Sequence, residues 1–366
     1  MPNHSSRRQW LKTTTAVLAG VSLTPSLFAT EKERYRAAGI ILLNSNENAY
    51  GPSASAKKAM TEALVATNRY PDDQVAMLKK KLSSFWEVSK ENVLLGAGSS
   101  EIIGLTCALV SSSKANIITA EPSYRVWNGQ AASFGLQFKR LPLTIDKILD
   151  LKGMLSAIDQ DTKMIYLCNP NNPVGTYVQI DQLKDFANEC SKKCTVFVDE
   201  AYTEYAGLPS LKDLAIKNKN IIVAKTFSKV YGLAGARVGY AIAHPDTIQK
   251  LAAFQPWPDA NVSMVSTAAA IAAIDDQAFV KDCKEKNRQA KEMCYKSFKE
   301  LSLEYIPSHT NFILFNIDKI GSAFTQKMQA QNIFVQYREH FGGKWCRVSM
   351  GTLEEMQAFC SALRSI

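Results

Sequence analysis

Short, largely apolar runs recur at Asn92–Leu95, Asn116–Ala120, Lys163–Cys168, Cys194–Val198 and Ile221–Ala224, with helical patterns between them. That alternation predicts a mostly parallel sheet wrapped by helices, because parallel neighbours need a crossover between them. In open α/β sheets, ligands gather where the carboxyl ends of strands emerge. Function is therefore sought at the five exits.

The last run empties into Lys225-Thr226-Phe227-Ser228-Lys229, with Arg237 eight residues beyond Lys229 in a Gly-rich stretch. A lysine on a sheet rim can condense with an aldehyde, while Thr226, Ser228 and Arg237 can hold a phosphate dianion beside it. Pyridoxal phosphate carries both groups. Taken alone, Lys229 reads equally as a solvated surface lysine.

The other exits add to it. Gly96-Ala97-Gly98-Ser99-Ser100 precedes a helix opening at Glu101, where free amides and two hydroxyls make an anion site. Tyr124, after Glu121-Pro122-Ser123, can stack on a planar ring or serve as a core tyrosine. The turn Asn169-Pro170-Asn171-Asn172-Pro173-Val174-Gly175 is forced extended before each proline, which can aim the Asn172 amide at a ring oxygen. Asp199 ends the fourth run. A carboxylate at the mouth of a buried strand needs a cation, and a protonated pyridine nitrogen is one. Asp199 can also be read as a helix N-cap. Tyr202, three residues on, can donate to the ring oxygen.

The 366 residues accommodate one large α/β domain and a smaller one. The formal charge of +9 is spread singly and in short runs, without the basic and aromatic stripe of a nucleic-acid surface. Ser6-Arg7-Arg8-Gln9-Trp10-Leu11-Lys12, followed by an apolar stretch to Phe28, is similar to a twin-arginine export signal, with Ala29 before the cleavage point. Residues 1–29 are thus expected to be a leader that uses the twin-arginine machinery, placing the mature chain in the periplasm or outside the cell. Otherwise the chain is cytoplasmic. The eight cysteines lack Cys-x-x-Cys or zinc spacing, so all are expected to be structural, with no metal bound. Cys190 and Cys194 are spaced to share a helix face.

With these residues in place, the chain resembles the fold-type I pyridoxal-phosphate aminotransferases of class I/II, and within them the histidinol-phosphate aminotransferases. The matching segments are Leu43–Pro52, Arg69–Asp72, Asn171–Gly175, Asp199–Tyr202, Thr226–Arg237, Asn311–Leu314 and Cys346–Thr352, which cover roughly residues 40 to 366. The resemblance implies that Lys229 forms a Schiff base with the cofactor and that Asp199 pairs with its ring nitrogen. It gives Asn172 and Tyr202 the ring oxygen and Tyr124 the ring face. Gly98, Ser99, Ser100, Thr226, Ser228 and Arg237 would surround the phosphate. Tyr70 would reach the cofactor phosphate of a second subunit, implying a homodimer with shared sites. Arg347 would bind the substrate α-carboxylate, with Arg338 and Asn311 also on the substrate side.

The implied reaction exchanges an amino group between an amino acid, or a histidinol-phosphate-like amine, and a 2-oxo acid. A decarboxylase, lyase or racemase would share the same cofactor residues, and an exported binding protein could keep the fold without catalysis. Val174 replaces the usual Thr, and Ala236 stands where Leu is common. Trp345, beside Arg347, is expected to favour an apolar or aromatic substrate side chain. The large cofactor-binding domain is expected over residues 60–255, and a small α+β domain over 30–59 together with 256–366.

Overall fold

The computed structural model describes residues 39–366, so the leader with its twin arginines lies outside them. Strand β1 (Ile41–Leu42) comes first, followed by the seven strands of the large sheet. These are β2 (Val93–Gly96), β3 (Asn116–Glu121), β4 (Gln137–Pro142), β5 (Thr162–Cys168), β6 (Thr195–Asp199), β7 (Ile221–Thr226) and β8 (Gly239–Ala243). Their spatial order is β2-β8-β7-β6-β5-β3-β4. From β4 to β7 all neighbours are parallel, whereas β8 runs antiparallel to both β7 and β2.

The central strands are apolar on both faces because both are covered. Ile165, Leu167, Val196, Val198, Ile221 and Val223 face one layer. The alternate residues Met164, Tyr166, Phe197, Ile222 and Ala224 face the other. Each buried aliphatic or aromatic side chain contributes about 1.5–3 kcal/mol, so the register of these strands is tightly set.

A second, antiparallel sheet has the order β12-β13-β10-β9, with β9 (Tyr305–Ile306), β10 (Phe312–Asn316), β12 (Gln336–His340) and β13 (Gly343–Ser349). Strand β11 (Ile333–Phe334) pairs in parallel with β1. Leu43, Phe298, Phe315 and Phe359 share the core beneath this smaller unit.

Two expectations differ from the packing. The helix Met264–Asp275, capped by Ser263, lies against the helix Ala54–Ala63. Ala269, Ala270 and Ala273 join Ala56 in the core of the large sheet. Small alanine side chains let the two helices approach closely, so residues 54–63 and 262–283 pack with the large unit. Cys190 ends the helix Ile180–Cys190, so Cys194 does not share its face. All eight thiols are buried and free.

Candidate active site

Strand β7 delivers Thr226, Ser228 and Lys229 to the sheet edge. Thr226 accepts the Ser228 N–H at 3.1 Å, and the two hydroxyls bond at 2.9 Å. The loop then doubles back, and because β8 is antiparallel, Arg237 at its amino end arrives on the same edge. Arg237 adopts a left-handed backbone (φ 53°). Its guanidinium donates to Ser228 Oγ at 3.4 Å, Ala234 O at 2.9 Å and Ala97 O at 3.2 Å. Facing it, Gly98 (φ 82°) precedes the helix Ser99–Val110; a Cβ there would stand 2.3 Å from Arg237 Nη2. Two hydroxyls, a guanidinium and the amides of a helix start thus ring one end of a cavity.

Lys229 Nζ donates to the Asn46 carbonyl at 3.1 Å and lies over the Tyr202 ring at 5.5 Å. Burial, with Arg347 nearby, brings its amine down from 10.5 to about 8. Asp199 is buried, which pushes its carboxyl upward. Its oxygens accept from the Tyr166 hydroxyl at 2.8 Å and the Ala201 N–H at 3.1 Å. The Tyr202 oxygen accepts two amide donors, Asn46 at 2.9 Å and Asn172 at 3.3 Å. Its own hydrogen is therefore free for an acceptor in the cavity. Burial holds this phenol neutral. Tyr124 lines the same cavity beside Ser99 and Ser100.

The cavity continues into a lobe walled by β12 and β13, the two parts sharing Ser45, Asn46, Tyr124, Asn172 and Lys229. Arg347 donates to Asn172 Oδ1 at 2.8 Å and to the Asn44 carbonyl at 3.2 Å. Its buried Nε has no partner among the described residues. Gln336, Arg338 and His340 alternate along β12 and also line this lobe. Burial, then Arg125 and Arg338, lowers the His340 imidazole to about 4.

Two positions, Asn311 and Trp345, differ from expectation. Asn311 stands behind the cavity wall, its amide donating to the Glu47 carbonyl at 3.0 Å. Trp345 shares a face of β13 with Arg347 but packs with Val174, Ile306 and Leu314 rather than lining the lobe. Tyr70 is 75 % exposed, edge-on to Trp257, and is absent from the cavity of its own chain. Sequence reasoning assigned no role to Asn46 or Tyr166. Asn46 lies in a polar run that signals a loop but not its partners, and Tyr166 reads as one more core aromatic.

The model of the family "Aminotransferase class I and II" matches residues 38–363. The chain belongs to that family. The aminotransferase is 36% identical to a histidinol-phosphate aminotransferase of Geobacillus sp. (strain WCH70), covering 91% of each chain. It is 35% identical to the histidinol-phosphate aminotransferase of Bacillus subtilis (strain 168), covering 92% of this chain and 94% of that one. A crystal structure of histidinol-phosphate aminotransferase from Sinorhizobium meliloti, in complex with pyridoxal-5'-phosphate, superposes with TM-score 0.83 at 29% identity, covering 94% and 98% of the two chains.

The aminotransferase uses pyridoxal phosphate, and its cavity fits that group. Gly98, lacking a Cβ, lets the Arg237 guanidinium lie close against the helix start, where a Cβ would stand 2.3 Å from it, so that the cation and the helix amides can face one phosphate. Asp199 is a buried carboxylate with hydrogen-bond donors on both oxygens and no ion pair among the described residues, a setting suited to a ring cation. A lysine with a lowered pKa stands between the two.

Proposed function

We propose that this aminotransferase moves an amino group from an amine bearing an anion at its far end to a 2-oxo acid. The observation that carries this reading is the cationic wall of the outer lobe, formed by Arg347, Arg338 and Arg125 with the neutral His340 imidazole beside them. The names of relatives at 35–36% identity support a phosphate as the far anion.

When bound, pyridoxal phosphate supplies the electron sink that lets an amine's α-proton leave and return. The remaining work falls to the chain. Arg237, Ser228, Thr226 and the helix start at Ser99 hold the phosphate end. Asp199 would pair with the ring nitrogen and keep it protonated, Tyr202 and Asn172 would orient the ring oxygen, and Tyr124 would cover the ring face. Arg347 grips a carboxylate through a two-pronged ion pair that lysine cannot copy. Lys229 Nζ would take the α-proton of a bound amine and later give it back, acting as base and then acid. An amine near pKa 8 suits both roles.

The active unit is a homodimer in which Tyr70 of each chain completes the phosphate site of the other. Its exposed position supports this reading. The chain is exported through its twin-arginine leader, and this part rests on the sequence alone.

The decisive assay compares histidinol phosphate with histidinol as donors, with 2-oxoglutarate as acceptor. A preference for the phosphate ester of at least ~10-fold in kcat/KM is expected, falling in Arg338→Gln. Equal turnover of both donors would overturn the anionic-substrate reading and leave the reaction class intact.

A further inference from the structure

One buried hydroxyl behind the cavity wall has no part in the chemistry above. Tyr166 lies on β5 with 0 % exposure. Its phenol donates to Asp199 Oδ2 at 2.8 Å, while Oδ1 accepts the Ala201 N–H at 3.1 Å. The two donors together fix the plane of the carboxylate. β5 and β6 are parallel neighbours, with Tyr166 opposite Phe197 and Cys168 opposite Asp199, so the phenol reaches along the sheet face toward the strand exit. The Tyr166 ring is itself clamped. Trp127 packs on it at 4.7 Å and Phe197 stacks at 5.7 Å. Trp127 Nε1 donates to the Tyr124 carbonyl at 2.9 Å. A single aromatic column therefore ties Asp199 to the backbone that carries Tyr124.

We propose that Tyr166 is a positioning residue that acts through Asp199, aiming its carboxylate and keeping it ionised where the cofactor's ring nitrogen docks. This rests on the reading that places that nitrogen at Asp199. Burial alone drives Asp199 toward its neutral form, and Glu200 adds to that; the Tyr166 hydroxyl, the Ala201 N–H and the charge of Lys229 oppose it. Tyr166 holds its own proton firmly, since burial and the adjacent Asp199 push its phenol well up. It is thus a donor that Asp199 cannot deprotonate, and a neutral Asp199 would no longer pair with a ring cation.

Tyr166→Phe keeps the ring and the column and removes only the donor. Affinity of the apoprotein is measured by fluorescence titration for pyridoxal phosphate and for its analogue with CH in place of the ring nitrogen. Tyr166→Phe is expected to bind pyridoxal phosphate ~10- to 100-fold more weakly, the worth of a hydrogen bond to a charged group. It should bind the nitrogen-free analogue nearly as well as the parent does. The acid limb of the affinity profile should also move to higher pH. In an Asp199→Ala background, adding Tyr166→Phe should cost little more. Equal losses for both ligands would mean that Tyr166 only supports the fold, and no loss for either would show the hydroxyl to be idle; each overturns the proposal. If the parent protein itself fails to prefer the nitrogen-bearing cofactor, the docking of that nitrogen at Asp199 fails first.

Discussion

Only a neutral amine attacks an aldehyde, so the rate at which the apoprotein captures pyridoxal phosphate should follow the neutral fraction of Lys229. Burial first, then the charge of Arg347, brings this amine from 10.5 to about 8. At pH 7 a group with that pKa is about one-tenth neutral, against roughly one part in three thousand for an unperturbed lysine, a gain of ~300-fold. Stopped-flow mixing of apoprotein with pyridoxal phosphate, followed by visible absorbance, reads the rate directly. It should rise about tenfold per pH unit and flatten above pH ~8. Arg347→Gln removes the second cause, so the midpoint should move upward and capture at neutral pH should slow. A parent midpoint near that of free lysine, or one unmoved by Arg347→Gln, would refute the reasoning. Lys229→Ala should abolish the absorbance change altogether.

Gly98→Ala should weaken cofactor binding by at least ~10-fold with the fold intact by circular dichroism, because the new Cβ meets the Arg237 guanidinium at 2.3 Å; unchanged affinity would show that the cradle yields. Lys225 is buried with Glu200 at 3.3 Å, Glu204 at 3.0 Å and the Thr203 hydroxyl at 2.6 Å. Lys225→Met leaves two carboxylates facing a buried methyl group and should cost about 3–5 kcal/mol in urea unfolding; a loss below ~1 kcal/mol would mean that water reaches the cluster. For the shared-site dimer, mixing Tyr70→Ala and Lys229→Ala subunits should restore about a quarter of parental activity, since half of a random mixture is hybrid with one whole site each. No recovery after verified subunit exchange would place Tyr70 outside its partner's site. Replacing Arg7 and Arg8 together by Lys should hold the chain in the cytoplasm by fractionation, and unchanged export would exclude the twin-arginine route.

The strand exits were legible because two local signals coincide there, an apolar run and a polar or Pro/Gly stop. Lys229, Asp199, Asn172 and Tyr124 could all be placed on that basis. Arg237 was legible as a residue, whereas the antiparallel turn of β8 that brings it back to the same edge was not, since strand direction depends on pairing between distant segments. Asn46 and Tyr166 were missed for the same kind of reason. Their partners Tyr202 and Asp199 lie 156 and 33 residues away, and neither local pattern announces a hydrogen bond. Trp345 misled because proximity to Arg347 in the chain says little about which hollow a large indole fills. The expected boundary at residue 256 places Met264–Asp275 in the small unit, whereas the alanine face of that helix decides which core it joins.

Asn172 receives Arg347 on its oxygen and offers its nitrogen to Tyr202. The isosteric aspartate would cancel the guanidinium charge and have no hydrogen to give the phenol. A neutral amide instead leaves the positive charge of Arg347 uncompensated, available to an incoming carboxylate, while the same group orients the phenol. The Arg347 guanidinium and the Tyr202 hydroxyl therefore share one spacer, and a displacement of either is felt by the other.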